Sequence, residues 1–380
     1  MSEAPKPPDA RSRPGAGPHA GPGRGEGRGD QACYAALDLG TNNCRLLIAS
    51  PTPRGFRIVE AYSRIVRLGE GLVGAGRLQE PAMERALAAL RTCADRVRKR
   101  QVARVRAIAT QACRIAENGP AFVERVLQET GLALEIITPK QEAQLSVAGC
   151  LNLLDRERHT AALVVDVGGG STELSWVDLT DDGLDQQVRR FAPQRLPIRA
   201  WLSIPIGVVT LAELFPEGEM GSQAWFRAMV DHVKERIEDF PHADPMRPAF
   251  ASGAAHLVGT SGAITSLAGL HLSLPRYDRS KVDGLWMTEG ECRAVADRLL
   301  LQTPKQRAGE PCIGPDRADL VLAGAAILQA VQELWPCERV RVADRGLREG
   351  LLLSLMADPP NRRRRRRRGR RGGARVEAAA

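Results

Sequence analysis

The 380-residue chain is 43% hydrophobic and 4% aromatic, which allows one large domain or two ordinary ones. No apolar run approaches the ~20 residues that span a bilayer, and the opening segment, rich in Pro and Gly, lacks the apolar core of a secretory signal. The eight cysteines are scattered without a C-x-x-C pair, which argues against a zinc site or disulfide framework and reads as reduced thiols in a cytoplasm. The formal net charge of +9 is confined to the end of the chain: from residue 361 onward ten arginines face one glutamate, and everything before them sums to neutral.

Residues 1 to about 31 carry five basic and four acidic residues and little to bury, so they are expected to be disordered. "YAALDLG" and "CRLLIAS" read as two strands around the turn "TNN". Apolar residues at Met83, Leu87, Leu90, Ala94 and Val97 recur at helical spacing and predict a helix over about 81–100. "VRAIAT" reads as a strand, "AFVERVLQET" as a helix ended by Gly131, and "LALEIIT" as another strand. A helix follows from Pro139, with Thr138 as N-cap and Gln141 completing a capping box.

"AALVVDV" and "ELSWVDL" then repeat the strand-turn-strand pattern of the first hairpin around "GGGST". Later helices are expected over 208–215, 222–240, 261–271, 289–302, 316–335 and 346–356. The last residues, about 358–380, repel one another and are expected to be disordered. Two hairpins, each opening its own strand-helix series, predict two related α/β domains with a cleft between them. The expected division is 32–138 plus about 344–357 for the first and 139–343 for the second.

The chemistry concentrates in the two hairpin turns. Glycines let backbone N–H groups approach an anion, and the hydroxyls of Thr41, Ser171 and Thr172 add donors. Neither turn is followed by Gly-Lys-Ser/Thr, so neither is a Walker loop, and no G-x-G-x-x-G run follows a strand. Asp38, Asp166 and Glu173 flank the glycines and suit a hard divalent cation such as Mg²⁺, which takes carboxylate oxygens together with substrate phosphates. A third glycine loop, "HLVGTSGAITSLAG", sets Gly259, Ser261 and Gly262 at a helix start, where free N–H groups meet a ligand or Ser261 merely caps the helix. Glu142 lies in the first turn of the helix from Pro139. There an acid either complements the helix dipole or acts as a base, and the spacing leaves both readings open. Arg114 and Arg45 each stand near a strand end with a guanidinium suited to phosphate.

Together these motifs resemble the exopolyphosphatase/guanosine pentaphosphate phosphohydrolase (Ppx/GppA) family of the actin/Hsp70/sugar-kinase superfamily. The match runs over roughly 33–356. It includes "ALDLGTNNCRLLIA", "AIATQACRIAENG", "QEAQLSVAG", "VVDVGGGSTELSW", "SIPIGVVTLAELF", "GTSGAITSLAGL", "GPDRADLVLAGAAIL" and "DRGLREGLLL". The resemblance implies an α/β fold of two ribonuclease-H-like domains and metal-dependent release of the terminal phosphate of a phosphoanhydride chain.

Carried across residue by residue, the resemblance makes Glu142 the general base and Arg114 the phosphate-gripping arginine. Asp166 and Glu173 become metal ligands, with Asp38 helping through water. Phosphate binding falls to Gly40, Thr41, Asn42 and Arg45 and to Gly168, Gly169, Gly170, Ser171 and Thr172. Two departures stand out: Gly-Thr-Asn-Asn replaces the usual Gly-Ser-Asn-Ser, and Glu142 stands alone where the family often has two glutamates. The chain looks like the short two-domain form, without an appended HD-type domain.

The expected substrate is inorganic polyphosphate, with guanosine pentaphosphate as the alternative on the same fold. A superfamily kinase and a non-catalytic polyphosphate or nucleotide sensor are the rivals. The arginine-rich tail is expected to touch a polyanion or to be merely solvated. No membrane partner is expected, and the family's habit of pairing admits a homodimer.

Overall fold

A computed structural model describes residues 32–357, apart from 54, 182–195, 219–220 and 239–242. Both expected disordered tails, 1–31 and 358–380, lie outside the described residues. The chain opens with β1 (Tyr34–Leu39), β2 (Asn43–Thr52) and β3 (Gly55–Ile65), followed by α1 (Glu80–Lys99), β4 (Arg104–Ala109), α2 (Gly119–Thr130) and β5 (Leu134–Ile136). Then come α3 (Pro139–Cys150), β6 (Ala161–Val167), β7 (Thr172–Asp178), β8 (Ile198–Ile204), α4 (Val208–Leu214) and α5 (Gln223–Glu238). Further on lie β9 (Ala255–Thr260), α6 (Gly262–His271), β10 (Trp286–Thr288), α7 (Glu289–Leu300), α8 (Val321–Leu334), β11 (Arg339–Ala343) and α9 (Leu347–Ala357), and unlabelled shorter helices at Leu72–Ala75, Gln111–Ile115, Ala243–Ala251, Arg279–Val282 and Pro304–Ala308 occupy the connections.

The strands form two mixed sheets, ordered β3-β2-β1-β4-β5 and β10-β11-β9-β6-β7-β8. Leaving β10 aside, the second sheet repeats the first. β6 pairs antiparallel with β7 and parallel with β9, as β1 does with β2 and β4. The repeat extends to the turns, where Gly40 N–H donates to Asn43 O at 2.9 Å and Gly168 N–H to Ser171 O at 2.9 Å.

Most expected helices are present within a residue or two of their expected ends. Gly131, at φ 74°, closes α2 in the left-handed conformation that glycine adopts without strain. One element differs. The helix expected over 316–335 begins only at Val321, and Pro315–Arg317 forms a separate 3₁₀ turn after Gly314, whose φ is 74°. The third strand of each sheet, β3 and β8, escaped the sequence reading.

The helix α3 fixes the architecture around the site. Leu145 packs with Ala36, Leu47 and Ile108 of the first sheet and with Leu351 and Leu352 of α9. On its other side Val147 and Cys150 pack with Ala162, Val164 and Val258 of the second sheet. A helix buried on both sides loses the one-sided stripe of a surface helix. Where α3 meets α9, side chains are dispensed with: a Cβ on Gly149 would stand 1.9 Å from the carbonyl oxygen of Gly346, and one on Gly350 2.0 Å from that of Leu145. Backbone thus packs on backbone.

Candidate active site

The two hairpin turns meet. A Cβ added to Gly169 would lie 3.0 Å from the Asn42 amide nitrogen, and one on Gly170 would lie 2.6 Å from Thr41 Oγ1. Neither these glycines nor Gly40 and Gly168 have positive φ. What requires glycine at 169 and 170 is the close approach of the opposing turn. Around this junction opens a cavity of about 500 Å³, lined by both turns, by the start of α6 and by the loop entering α9.

Each sheet contributes acids by strand register. Asp38 stands opposite Arg45 on β2, and Asp166 opposite Glu173 on β7. All four line the cavity. Ser146 Oγ donates to Asp166 Oδ2 at 2.6 Å, and Ser203 Oγ donates to Glu173 Oε1 at 2.8 Å. Burial pushes Asp38 up to about 6, with Arg45 and Arg348 pulling against it. Burial and the neighbouring Asp166 push Glu173 up to about 7. Asp166 is also raised by burial, with Ser146 holding it down.

Glu142 enters from α3. The expected capping box is present: Thr138 Oγ1 accepts from Gln141 N–H at 3.2 Å, and Gln141 Oε1 accepts from Thr138 N–H at 2.9 Å. This cap fixes the first turn and directs Glu142 into the cavity, with Ser146 one turn later on the same face. Glu142 is 7% exposed. Burial and repulsion from Glu173 hold its carboxyl well above the usual range, while Arg114 opposes the shift. A carboxyl raised by burial is the usual way a glutamate is made a proton acceptor near neutral pH.

Three expected residues stand differently. Arg114 does not line the cavity; it donates to Ile137 O at 2.8 Å, Glu142 Oε2 at 3.1 Å and Gln111 Oε1 at 2.6 Å, so its donors are turned to holding Glu142. Thr172 is fully buried and donates to Ile206 O at 2.7 Å. Thr172 does not line the cavity, whereas its neighbour Glu173 does. Gly259 lies inside β9, paired with Val342 and Val165, and packs against Ile264 and Val340. Ser261 and Gly262 do line the cavity. The Ser261 hydroxyl donates to Val167 O and does not cap α6, and Ser261 carries a φ of 102°.

The cavity also gathers residues that local spacing did not reveal. Arg317 comes from the 3₁₀ turn and Arg348 from the first turn of α9. Both sat inside recognisable motifs, but the fold was needed to place them. Ser146 and Ser203 were likewise invisible until the acids they bond had positions.

The donor set suits a divalent cation. Asp38 Oδ1 is buried with no hydrogen-bond partner, and the three acids Asp38, Asp166 and Glu173 line one cavity. That fits a cation. Among the described residues, no three His, Cys, Asp or Glu side chains close into a metal cage. The fit is therefore to an ion that draws many of its ligands from substrate phosphate and water, as Mg²⁺ commonly does.

Comparison with known proteins identifies the family. Residues 47–358 match the model of the Ppx/GppA phosphatase family. Exopolyphosphatase 2 of Mycobacterium tuberculosis is 30% identical over 334 residues, covering 84% of this chain and 98% of the relative. The guanosine-5'-triphosphate,3'-diphosphate pyrophosphatase of Aeromonas hydrophila is 28% identical over 328 residues, 86% of this chain and 60% of that protein. The crystal structure of the Aquifex aeolicus family member superposes with a TM-score of 0.68 at 29% identity, covering 86% of this chain and 97% of that one. The chain belongs to the Ppx/GppA phosphatase family.

Proposed function

We propose that the chain is an exopolyphosphatase, hydrolysing the terminal phosphoanhydride bond of inorganic polyphosphate. The observation that carries this reading is the meeting of two glycine turns, one from each sheet, beside a buried glutamate in a single cavity. Family membership supports a phosphoanhydride hydrolase, and the mycobacterial relative's name supports the substrate. The Aeromonas relative gives a specific reason to carry guanosine pentaphosphate as the second reading.

In this reading the backbone N–H groups of Gly169 and Gly170, with Thr41, Asn42 and Ser171, seat the terminal phosphates, while Gly40 and Gly168, whose own N–H groups close the two turns, leave room for them. Ser261 and Gly262 add the α6 start. Glu142 orients a water and takes its proton, and Arg114 positions Glu142. The water oxygen bonds to the terminal phosphorus, the bridging P–O bond breaks, and its electron pair leaves on the shortened chain. Asp38, Asp166 and Glu173 would hold Mg²⁺ or a similar hard cation, which would neutralise phosphate charge. Positioning and charge neutralisation are the main sources of rate in phosphoryl transfer.

We read the two sheets as two domains meeting near residue 138, with α9 belonging to the first. No described helix is long and apolar enough to cross a membrane; a cytoplasmic enzyme, active alone or as a homodimer, is our reading. The arginine-rich tail is assigned to polyanion contact. Phosphate release from polyphosphate and from guanosine pentaphosphate, each with and without Mg²⁺, tests the function. Higher kcat/KM on polyphosphate is expected; higher kcat/KM on the nucleotide selects the second reading, and release from neither refutes both.

A further inference from the structure

The cations around the cavity divide sharply. Arg114 spends its donors on Glu142, Gln111 and the Ile137 carbonyl, so the guanidinium nearest the base is committed within the protein. Arg45, Arg317 and Arg348 line the cavity, yet among the described residues none of the three guanidiniums makes a hydrogen bond or salt bridge. The placement of Arg45 and Arg348 is otherwise unfavourable. Arg45 Nη2 comes within 3.1 Å of where a Cβ on Gly262 would stand, at the positive end of α6. Arg348 sits in the first turn of α9, again at the positive end of a helix. Cations belong at the opposite helix terminus. Thr41 Oγ1, 4% exposed at the residue level and lining the same cavity, is also without a partner. Three unpaired guanidiniums, two helix N-termini and an unused hydroxyl converge on one space, and a polyanion satisfies all of them.

Arg348 is also rigidly placed relative to the base. The α9 entry is pinned by Glu349, which accepts from Gly346 N–H at 3.0 Å and from Arg279 Nη2 at 2.9 Å. The same entry lies backbone-on-backbone against α3, which carries Glu142, through Gly149 and Gly350. Glu142 and Arg348 thus belong to one packed pair of helices. By register Arg45 stands across from Asp38, whereas the guanidinium bonded to Glu142 is that of Arg114, so Arg45 attends a different acid from the base.

We propose that Arg348 is a substrate-binding residue which, with Arg45, grips the phosphates on the leaving side of the scissile bond, across from Glu142. The assignment rests on the proposed hydrolysis only for the word leaving; the polyphosphate site itself stands on the cavity. When the bridging bond breaks, the negative charge left on the shortened chain develops beside fixed guanidiniums, which stabilise it in place. A fixed fork also suits adjacent phosphate oxygens better than an ammonium.

The test is calorimetric binding of tripolyphosphate to the full chain in the Glu142→Gln background, comparing Arg348 with Arg348→Ala, Arg348→Gln and Arg348→Lys. Loss of a charge-assisted contact should weaken Kd about tenfold or more in the Ala and Gln variants, with partial recovery in Lys. A flatter dependence of log Kd on log salt should accompany the loss, which a merely structural role does not produce. If Arg348→Ala fails to fold, Arg348→Gln, of similar length, decides. Wild-type affinity and salt dependence in either neutral variant overturn the proposal. Phosphate release by the unmutated protein is measured alongside: absent turnover with Arg348-dependent binding refutes the hydrolase reading and its leaving-side assignment but keeps the polyphosphate site, whereas turnover with Arg348-independent binding refutes this inference alone.

Discussion

Replacing Glu173 by Gln converts the electrostatics of the acid cluster into a measurable stability. Glu173 is 2% exposed, and burial with the nearby Asp166 raises it from 4.5 to about 7. A carboxyl raised on folding binds its proton more tightly in the native state than in the unfolded chain. Native stability therefore falls as pH climbs from the unfolded value to the folded one, and the loss is complete above about 7. Each pKa unit corresponds to about 1.4 kcal/mol, so the penalty in wild type reaches about 3 kcal/mol at pH 8. Gln, neutral throughout and still able to accept from Ser203, escapes it. Urea denaturation in EDTA at pH 4.5, 6 and 8 should show the variant matching wild type at the lowest pH and exceeding it progressively above. His256, pushed down to about 4 by burial, titrates in both proteins and drops out of the difference. Adding Mg²⁺ at pH 8 should narrow the gap, because a nearby cation favours the carboxylate. A variant no more stable than wild type at pH 8 refutes the account of buried, mutually repelling acids.

Glu142→Gln should lower kcat for phosphate release by about 100-fold or more while leaving KM nearly unchanged, since it removes a proton acceptor and keeps the shape; undiminished turnover excludes Glu142 as the base. Gly149→Ala places a methyl 1.9 Å from the Gly346 carbonyl, so α3 and α9 must separate. Despite the better helix propensity of alanine, thermal denaturation should show a loss of about 1–3 kcal/mol, with a parallel fall in kcat as Glu142 shifts. Arg67→Ala removes a two-pronged pair with Asp319 that links the turn after β3 to the approach to α8, at 2.9 Å on both arms. With side chains 31% and 49% exposed, the change in stability should stay below about 1 kcal/mol. Deleting residues 361–380 should reduce processivity and salt sensitivity on long polyphosphate and leave hydrolysis of short chains unaltered, as followed by gel resolution of the products.

The amino-acid sequence by itself determined the two hairpins, the helix rhythm, the capping box before Glu142 and the acid beside each glycine turn. These are local matters: periods of 2 and 3.6, cap chemistry and the punctuation supplied by glycine act within a few residues. The tertiary structure alone decided which charges face one another. Nothing near Arg114 in the chain says that its donors go to Glu142, 28 positions later, and nothing near Arg348 says that it remains unpaired beside Arg45. Arg317 was read as part of a helix and stands in a turn on the cavity wall. A guanidinium's role depends on which carboxylate or phosphate the packed sheets bring within a few ångströms. That distance is fixed by the crossing of α3 and α9 and by the contact of the two turns, each made by residues far apart in the chain.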